Sequence, residues 1–474
     1  MSLTKVTYSM IDGAVVNVLD YGADPTGSAD SITAINNAIT AAATGKIVFF
    51  PAGTYKISSS ILLKQCSLLG EGLGTIIQPT ADSFPAIANN NVSVAKFFIQ
   101  GFYINYGVAT GNTQSANTAS AGIYFTGTSN NYPYEFSVDQ VWIRYSYYGY
   151  RDISNSYMFK LNNVRTDLNA IGFALDTNGK TTVRINNCYA NNASLQAFSF
   201  FGITGLAFEA GGFDGCTNTS GLNMFYAATC QGINLKSIDF EVNTISYANT
   251  AAFAFENCSG VSISGLKGFG NTFATGSSTV YGILFSNGTV GSVSGVTLAA
   301  SGDTSTGTGS VYSVAVEGSS IATIDACVLT PPSGASGPNA GLLVNTSSKV
   351  LVTQSNNALS ATVLGQSSQL VNNQLPVIST DNGDTSPSVT PGVSNPTQLF
   401  NTPLTGTQYL YIGTVGLYRG AQFTVVRTSA ATGASGLIVY DQLNSANIVT
   451  LAAGQFAQVT FNGTAWIVTG KGSL

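Results

Sequence analysis

The sequence predicts an all-β chain that folds as a right-handed parallel β-helix solenoid, with an N-terminal capping helix and a small C-terminal antiparallel β domain. Three observations predict this class. Only 8 % of the 474 residues are charged although 44 % are hydrophobic, glycine occurs 52 times, and short strand-like phrases recur through the middle of the chain. Such a composition predicts a large core covered by uncharged polar side chains, which suits extended sheets with tight turns better than helices.

The recurring phrases set the register of the repeat. Their first inward-facing apolar residues are Phe159, Val183, Leu206, Ile233 and Val261, which follow one another at a nearly constant spacing. A second phrase, such as "AIGFALD" or "AAFAFEN", recurs at a similar pitch, so each unit holds at least two short strands. Repeats of this size that contain strands but no helices indicate stacked coils rather than an ordinary β-sandwich. The same register predicts that Cys230 and Cys258 lie on adjacent coils.

The chain is predicted to contain five segments. A short helix is expected near residues 30–43, because Ile32, Ile35 and Ile39 recur at helical spacing and a helix there would cover the open end of the solenoid. Four prolines without apolar periodicity indicate a linker before the last segment, which alternates like a small antiparallel domain. The segments are a neck at residues 1–20, the cap and first coils at 21–84, the main β-helix at 85–375, a linker at 376–398 and a C-terminal β domain at 399–474.

The composition also excludes several kinds of function. The chain has no histidine, which excludes the Ser-His-Asp triad, an imidazole base and every histidine-containing metal site. Its six cysteines form no CxxC pair and are expected to be reduced core residues. No calcium-binding DxDxDG run occurs, so we assign no metal, although scattered acids of the solenoid could still hold one. We also expect no cofactor. A net charge of −5 and a pI of about 4.7 argue against nucleic acid as a partner, because phosphate binding needs a basic surface.

The N-terminus and the hydropathy of the chain bear on its location. The first residues, "MSLTKVTYSM", lack the apolar core of a signal peptide, and no apolar stretch of about 18 residues occurs. We therefore expect neither membrane insertion nor export through a signal peptide.

The segment from Val15 to Ile77 carries a set of motifs in a fixed order. It contains "VLDYGA" from Val18, "DPTGSAD" from Asp24, "FFPAGTY" from Phe49 and "LGEGLG" from Leu69. These motifs resemble the opening of the pectate-lyase-like right-handed parallel β-helix superfamily, and specifically of bacteriophage tailspikes. The residues before them resemble the neck of a tailspike, and "GTQYLYIGTVGLYRGAQFTVVRT" (406–428) resembles part of a tailspike C-terminal domain.

The resemblance implies a homotrimer of side-by-side solenoids that attaches to the phage tail or baseplate through its N-terminus. It also implies that the C-terminal domain holds the trimer together, binds glycan, or does both. It implies a virion protein, made in the host cytoplasm and acting outside the cell, that binds a bacterial capsule or O-antigen and usually cleaves it. The first hypothesis for its function is an endo-acting glycoside hydrolase. Two alternatives remain: a polysaccharide lyase that acts by β-elimination on a uronate-containing glycan, and a receptor-binding spike without enzymatic activity. The histidine-containing catalytic set of plant-type polygalacturonases cannot exist in this chain.

Four carboxylates are the candidate catalytic groups, because glycoside hydrolysis needs two carboxyl groups flanking the bond and this chain has few acids. Alignment of the coils places Asp167, Asn191, Asp214 and Glu241 in one column and Arg165, Tyr189, Gly212 and Asp239 in another. Asp239 and Glu241 then share one side of a strand, and Asp214 lies beside Glu241 on the preceding coil. Glu209, also on that coil, completes a pattern similar to that of tailspike endoglycosidases. We predict Asp239 and Glu241, with Glu209 or Asp214, as catalytic residues, although acids at turns also cap backbone N–H groups.

Aromatic and charged residues mark the predicted substrate-binding surface. The segment "VWIRYSYYGYRD" (141–152) concentrates rings that can pack on the C–H faces of sugars, although alternate members are expected to point into the core. Two lysines near the carboxylates are expected to neutralise part of their charge. The predicted substrate-binding residues are Trp142, Arg144, Tyr145, Tyr147, Arg165, Asp167, Lys236 and Lys267.

Overall fold

The computed structural model divides the chain into two compact units. It describes residues 15–42, 45–89, 91–127, 131–177, 179–218, 220–298, 302–329, 332, 334, 340–345, 348–352, 361–363, 369–372, 379–391, 394, 397–414, 417, 419–433 and 435–474. The first unit comprises the described residues up to Ala315 and those of Cys327–Leu342, and the second comprises those of Val316–Ala326, Leu343–Asn356 and Ala361–Leu474. Most of the predicted neck, from position 1 to position 14, lies outside the described residues.

The first unit begins with the capping helix expected from the sequence. This α-helix spans Ile32–Ala42, and its isoleucines lie buried on one face. Asp30 accepts a hydrogen bond from the backbone N–H of Ile32 at 3.1 Å, which satisfies a donor that the first turn leaves free. A second α-helix spans Gly107–Thr110, and 3-10 helices span Val18–Tyr21 and Gly72–Gly74. None of the helices in the described ranges has the length and apolar character needed to cross a bilayer.

The turn before the capping helix is built around the carboxylate of Asp24. Its oxygens accept hydrogen bonds from the backbone N–H groups of Thr26, Ser28 and Ala29 and from the hydroxyl of Thr26. These bonds, led by the one from Ala29, lower the pKa of Asp24 from 3.8 to about 2. The "DPTGSAD" motif is therefore structural, because its first acid closes the turn and its last acid, Asp30, starts the helix.

We expect the Asp24→Asn variant to lose a pH-dependent part of the stability of this turn. Because the pKa of Asp24 in the folded chain lies below the unfolded value, its stabilisation is present above about pH 4 and is lost as the pH falls to about 2. Chemical denaturation should therefore show the variant less stable near neutral pH, with the difference from the parent chain shrinking in acid. A difference that stays constant across this range would contradict the role of the carboxylate.

The solenoid of the first unit is built from two main parallel sheets and one small parallel sheet. The strands of its first sheet are Val16–Asn17, Thr26–Asp30, Ile47–Phe50, Gly53–Ile57, Ser67–Gly70, Thr75–Pro79, Val94–Ala95, Phe98–Asn105, Pro133–Tyr134, Ser137–Arg144, Tyr157–Asp167, Lys180–Asn186, Tyr189–Asn191, Ile203–Glu209, Gly212–Asp214, Gln231–Lys236, Asp239–Glu241, Ser259–Ser264, Lys267–Phe269, Val290–Ser294, Thr297–Leu298 and Val328–Leu329. The strands of the second sheet are Ile61–Leu62, Ile87–Ala88, Ala121–Phe125, Tyr148–Asp152, Ile171–Leu175, Gln196–Phe201, Phe225–Ala228, Thr250–Glu256, Val280–Ser286 and Val311–Val316. The small sheet contains Thr244–Ile245, Thr272–Gly276 and Thr304–Gly307. The strand Ala340–Val344 begins in this unit, and the strand Ala361–Val363 belongs to the second unit.

The register predicted from the repeat is confirmed. The predicted inward-facing residues pair from coil to coil as Phe159 with Val183, Val183 with Leu206, Leu206 with Ile233, and Ile233 with Val261. The side chains at these positions are buried, and in the preceding coil the ring of Phe136 stacks on that of Phe159 at 4.8 Å. Cys230 and Cys258 lie on adjacent coils, since the backbone N–H of Ser259 donates to the carbonyl oxygen of Cys230 at 3.0 Å. All six cysteine side chains are buried.

A ladder of buried amides fixes the bend that follows the short strands of the first sheet. Asn243 accepts a hydrogen bond from the backbone N–H of Cys216 at 2.9 Å and donates one to Asn271 on the next coil at 3.0 Å. Asn271 in turn donates to Asp303 at 3.2 Å. Because Cys216 and Asn243 each come shortly after the end of a short strand, the ladder holds the carboxyl ends of those strands in position.

Lys180 and Asp152 form an ion pair in the interior of the first unit. Their charged atoms are 3.7 Å apart, and neither side chain is exposed. The Lys180 ammonium also donates to the Ser154 carbonyl oxygen at 2.6 Å and to the Thr177 hydroxyl at 2.9 Å. Asp152 accepts hydrogen bonds from the backbone N–H and the hydroxyl of Ser154 and from the hydroxyl of Ser156. Burial lowers the pKa of Lys180, and the charge of Asp152 opposes that effect.

The second unit contains parallel strands and a C-terminal pair of sheets. The parallel strands are Ile321–Asp325, Lys349–Val352 and Gln369–Asn372. One C-terminal sheet contains Ser379–Asp381, Thr397–Phe400, Gln422–Arg427, Gln455–Phe461 and Trp466–Ser473, and the other contains Ser388–Val389, Gln408–Ile412, Leu437–Asp441 and Ala446–Leu451. A cluster of buried residues that includes Phe400, Leu437 and Trp466 forms the core between these sheets.

The C-terminal sheets differ from the sequence prediction in two respects. Strands Gln422–Arg427, Gln455–Phe461 and Trp466–Ser473 pair antiparallel as expected, but other pairs, such as Gln408–Ile412 with Leu437–Asp441, are parallel. Three strands also start within the predicted linker at residues 376–398 and pair into these sheets. Proline does not prevent this pairing, because Pro387 precedes its strand and needs only its carbonyl oxygen, which accepts from the Tyr411 N–H at 2.9 Å.

Candidate active site

Two columns of outward-facing side chains run along the first sheet of the first unit. The two columns predicted from the sequence are both confirmed by the strand register. The register extends them at both ends. One column reads Tyr103, Trp142, Arg165, Tyr189, Gly212, Asp239 and Lys267, and the other reads Asn105, Arg144, Asp167, Asn191, Asp214, Glu241 and Phe269. Successive coils are about 4.8 Å apart, so the columns form one continuous surface parallel to the stack of coils.

A pocket of about 400 Å³ opens in the middle of these columns. Its lining residues are Arg165, Tyr189, Asn191, Phe213, Asp214, Asp239 and Glu241. Gly212 leaves a gap in its column, and a Cβ atom there would lie 1.9 Å from the carbonyl oxygen of Asp239. The strand pairing therefore requires glycine at this position, and the missing side chain leaves a notch between Tyr189 and Asp239.

Three carboxylates and one guanidinium line the pocket. Within the described residues, the carboxylates of Asp214, Asp239 and Glu241 accept no hydrogen bond and form no ion pair. Burial, followed by the negative charges of Asp239 and Glu241, raises the pKa of Tyr189, so its phenol stays neutral and can donate a hydrogen bond. The pocket thus offers several acidic groups that are free to act on a ligand.

The spacing of the carboxylates follows from the strand geometry. Asp239 and Glu241 lie on one side of the strand Asp239–Glu241, with Cα atoms about 6.6 Å apart. Asp214 pairs with Glu241 across adjacent coils, with Cα atoms about 4.8 Å apart. The Oδ1 atom of Asn191 is shielded from solvent and has no donor among the described residues, so it can accept a hydrogen bond from a bound hydroxyl group.

Two predicted site residues lie on the neighbouring long strands instead of in the pocket. Glu209 ends the strand Ile203–Glu209 and pairs with Lys236 on the next coil. Neither residue lines the pocket, because a bend with Ala210 in the left-handed conformation (φ 51°) separates the long strand from the short one. Lys267 does lie in a column, beside Asp239, but beyond the pocket lining.

The predicted aromatic residues divide between the columns and other parts of the coil. Trp142 lies in its column, where the ring of Tyr103 packs against it at 5.2 Å and the guanidinium of Arg165 lies over it at 5.2 Å. Arg144 forms an ion pair with Asp167 at 2.8 Å and covers the ring of Tyr145, which is buried.

Tyr147 lies outside the columns. It follows the bend at Tyr145, and its ring packs against that of Tyr148 at 4.8 Å at the start of the second sheet.

Among the column residues that were not predicted as site residues, Tyr103, Tyr189 and Asn191 carry the groups that the site uses. Tyr189 and Asn191 were already in the predicted columns, and their polar side chains could have identified them as candidates for binding sugar hydroxyls. Tyr103 would have required extending the register two coils upstream, across insertions that break the repeat spacing. In the part of the chain that the structure describes, no three His, Cys, Asp or Glu side chains are grouped closely enough to hold a metal ion.

A family model matches the first part of the chain. Residues 15–218 match the family described as rhamnogalacturonase A/epimerase, pectate lyase-like. The search of curated proteins found no match. The expected resemblance to a tailspike of the pectate-lyase-like superfamily is confirmed at the level of the fold.

Among solved structures, a phage tailspike has the same fold. This tailspike, from an Acinetobacter phage, is 14 % identical, with 98 % of this chain and 82 % of that chain covered and a TM-score of 0.51. The A-module of a mannuronan C-5 epimerase from Azotobacter vinelandii is 15 % identical over 76 % of this chain and 99 % of that chain, with a TM-score of 0.42. The catalytic unit of an α-1,3-glucanase from Streptomyces thermodiastaticus is 15 % identical over 77 % of this chain and 69 % of that chain, with a TM-score of 0.39.

Proposed function

We propose that the chain is a bacteriophage tailspike that binds a bacterial surface polysaccharide, a capsule or O-antigen, and cleaves it by endo-acting glycoside hydrolysis. The observation that carries this proposal is the group of unpaired carboxylates of Asp214, Asp239 and Glu241 in a pocket that interrupts a long open surface. The fold likeness to a phage tailspike supports the biological setting. Because the columns continue on both sides of the pocket, a polysaccharide can lie along them with sugars bound on both sides of the cleaved bond.

The pocket supplies the groups that hydrolysis requires. One carboxyl group protonates the leaving oxygen, and a second either attacks the sugar or activates water. Asp239 and Glu241 are the best candidates for this pair, because both face the pocket from one strand and neither has a competing partner among the described residues. Tyr189 and Asn191 are placed to bind sugar hydroxyls, since one can donate and the other can accept a hydrogen bond.

A polysaccharide lyase is the second candidate, and one observation favours it. Arg165 and Tyr189 are neighbours in one column and line the pocket, which offers a cation for a uronate carboxylate and a phenol for proton transfer. However, the three carboxylates give the lining a net negative charge, which opposes binding of a uronate at the reacting position. Hydrolysis therefore fits this pocket better than β-elimination.

The experiment that tests the proposal measures reducing ends and the ultraviolet absorbance of unsaturated products side by side on a panel of capsular and O-antigen polysaccharides. New reducing ends without the absorbance support hydrolysis, and both signals together support the lyase. Binding of a polysaccharide without either signal would indicate a receptor-binding spike and overturn both enzymatic proposals.

We further propose that the protein is a homotrimer that attaches to the phage tail through its N-terminus and is part of the virion. The fold likeness to a tailspike supports this assembly. Light scattering should give about three times the chain mass of 48.9 kDa. A mass equal to that of one chain would defeat the trimer without affecting the chemistry of the pocket.

A further inference from the structure

Arg165 is the cation of the pocket lining, and the proposed hydrolysis gives it no role. We propose that Arg165 binds the carboxylate of an acidic sugar, so that the substrate is a polysaccharide with an acidic residue set a few sugars away from the cleaved bond. This inference rests on the proposed function for its account of where cleavage occurs. The binding of the acidic sugar itself rests on the contacts of Arg165.

The two arginines of the columns differ in how their charges are compensated. Arg144 is neutralised by Asp167, which is buried and also accepts a hydrogen bond from Asn192 at 3.0 Å. Arg165 is exposed, and within the described residues it forms no ion pair and no hydrogen bond, although it lines the pocket. A guanidinium has five N–H donors in a planar fork that matches the two oxygens of a carboxylate. Arg165 therefore has all its donors available for an anionic ligand.

The ring of Trp142 holds the guanidinium of Arg165 in place. Tyr103, Trp142 and Arg165 follow one another on successive coils of one column, with about 5.2 Å from the Trp142 ring to each neighbour. Because these neighbours come from the coils before and after it, the Trp142 ring lies between them and supports the guanidinium of Arg165. A cation that packs against an aromatic ring is already ordered before the ligand binds, so less side-chain entropy is lost on binding.

The distances along the column separate the acidic sugar from the cleaved bond. Asp214 and Asp239 lie two and three coils from Arg165, about 10 and 14 Å at the backbone. Both distances exceed the screening length of about 8 Å at physiological ionic strength. A carboxylate at Arg165 is therefore only weakly repelled by the acids of the pocket, whereas one placed directly over them would be repelled strongly. The groove consequently favours a repeat that combines acidic and uncharged sugars.

The test measures binding to the full chain carrying Glu241→Gln, so that cleavage does not interfere. The probes are oligosaccharides of galacturonate, hyaluronan and polysialate, each compared with the same oligosaccharide after its carboxyl groups have been reduced to alcohols. The chain has only two tryptophans, so the fluorescence of Trp142 reports binding in its column, and Trp142→Phe gives the background from Trp466. We expect at least one acidic probe to bind, and its reduced form to bind about tenfold more weakly or worse, as for loss of a charge-assisted hydrogen bond.

The variants decide whether Arg165 is responsible. Arg165→Gln should abolish the preference for the acidic form, and Arg165→Lys should keep part of it, because lysine retains the charge but lacks the fork. Arg184→Gln is the matched control, since Arg184 is also exposed and lies on a long strand outside this pocket. Equal binding of acidic and reduced probes, no binding of any probe, or an unchanged preference in Arg165→Gln would overturn the inference. A charge-dependent preference in the Glu241→Gln chain, together with no hydrolysis by the unsubstituted chain, would leave the inference standing and defeat the proposed hydrolase.

Discussion

Replacing Asp239 by Asn or Glu241 by Gln is expected to lower turnover of the polysaccharide about 10²- to 10⁴-fold, because each change removes a group that transfers a proton or attacks in the transition state. The size and shape of the side chain are retained. Neither carboxylate accepts a hydrogen bond or forms an ion pair among the described residues, so the coil loses no contact. Assembly and polysaccharide binding should therefore persist while the release of reducing ends falls.

Variants of the other acids show whether a loss of turnover comes from a catalytic role or only from the change in charge. Asp214→Asn removes the carboxylate beside Glu241 and should also lower turnover if that acid takes part in the chemistry. Glu135→Gln is the control, because the Glu135 side chain is partly exposed and its ammonium partner Lys96 is 3.9 Å away. Glu209→Gln tests the remaining predicted catalytic acid, which lies at the end of the neighbouring long strand and does not line the pocket. Near-normal turnover in the variants of Asp214, Asp239 and Glu241 would place the active site outside this pocket.

The pair that carries the reaction also determines its stereochemistry. Carboxyl groups about 5 Å apart suit retention through a covalent intermediate, whereas a separation of about 6.5–9.5 Å leaves space for water and gives inversion. Asp239 and Glu241 have the wider Cα spacing and Asp214 and Glu241 the narrower, so we expect inversion if the first pair carries the reaction and retention if the second does. Comparing the residual turnover of the three single variants with the anomer formed first thus identifies the working pair.

The sequence was sufficient to predict the coil register, for a physical reason. Side chains alternate along a strand, and parallel coils stack residue upon residue, so one buried position per coil fixes all positions of that coil. The number of residues per coil varies even where the repeat is most regular. The coils nevertheless pair in register from the inward-facing residues through to Asp167, Asn191, Asp214 and Glu241. The length variation therefore falls in the later turns, and alignment on the inward-facing residues preserved both columns.

The orientation of the neighbouring strands was less accessible from sequence. Glu209 is close to Asp214 along the chain, but the bend at Ala210 lies between them. Glu209 therefore belongs to the stack of long strands, and Asp214 belongs to the stack of short strands. A bend of this kind depends on one backbone torsion at a residue with no special preference for it. The surroundings of Trp142 were missed for another reason, since Tyr103 lies on an earlier coil, outside the regular repeat.

Removing the carboxylate of Asp152 is expected to give the largest loss of stability, about 3–5 kcal/mol, because it leaves the buried ammonium of Lys180 without its ion-pair partner. Asp152→Ala also removes the acceptor of the hydroxyls of Ser154 and Ser156, which are both buried. Chemical denaturation of the full chain should show a lower midpoint with a similar slope, since the surface exposed on unfolding is nearly unchanged. The matched control is Glu135→Ala, because the exposed Lys96–Glu135 pair should contribute no more than about 1 kcal/mol.

A double variant distinguishes an unpaired charge from a simple cavity as the cause of that loss. Lys180→Met removes the charge but keeps an unbranched apolar side chain of similar length. If the cost of Asp152→Ala comes from the stranded ammonium, Asp152→Ala combined with Lys180→Met should be more stable than Asp152→Ala alone. If the cost comes from lost packing, the two changes should add, because each removes its own contacts. Additive losses would therefore contradict the ion-pair account, whereas recovery in the double variant would show that burial makes each charge of the pair depend on the other.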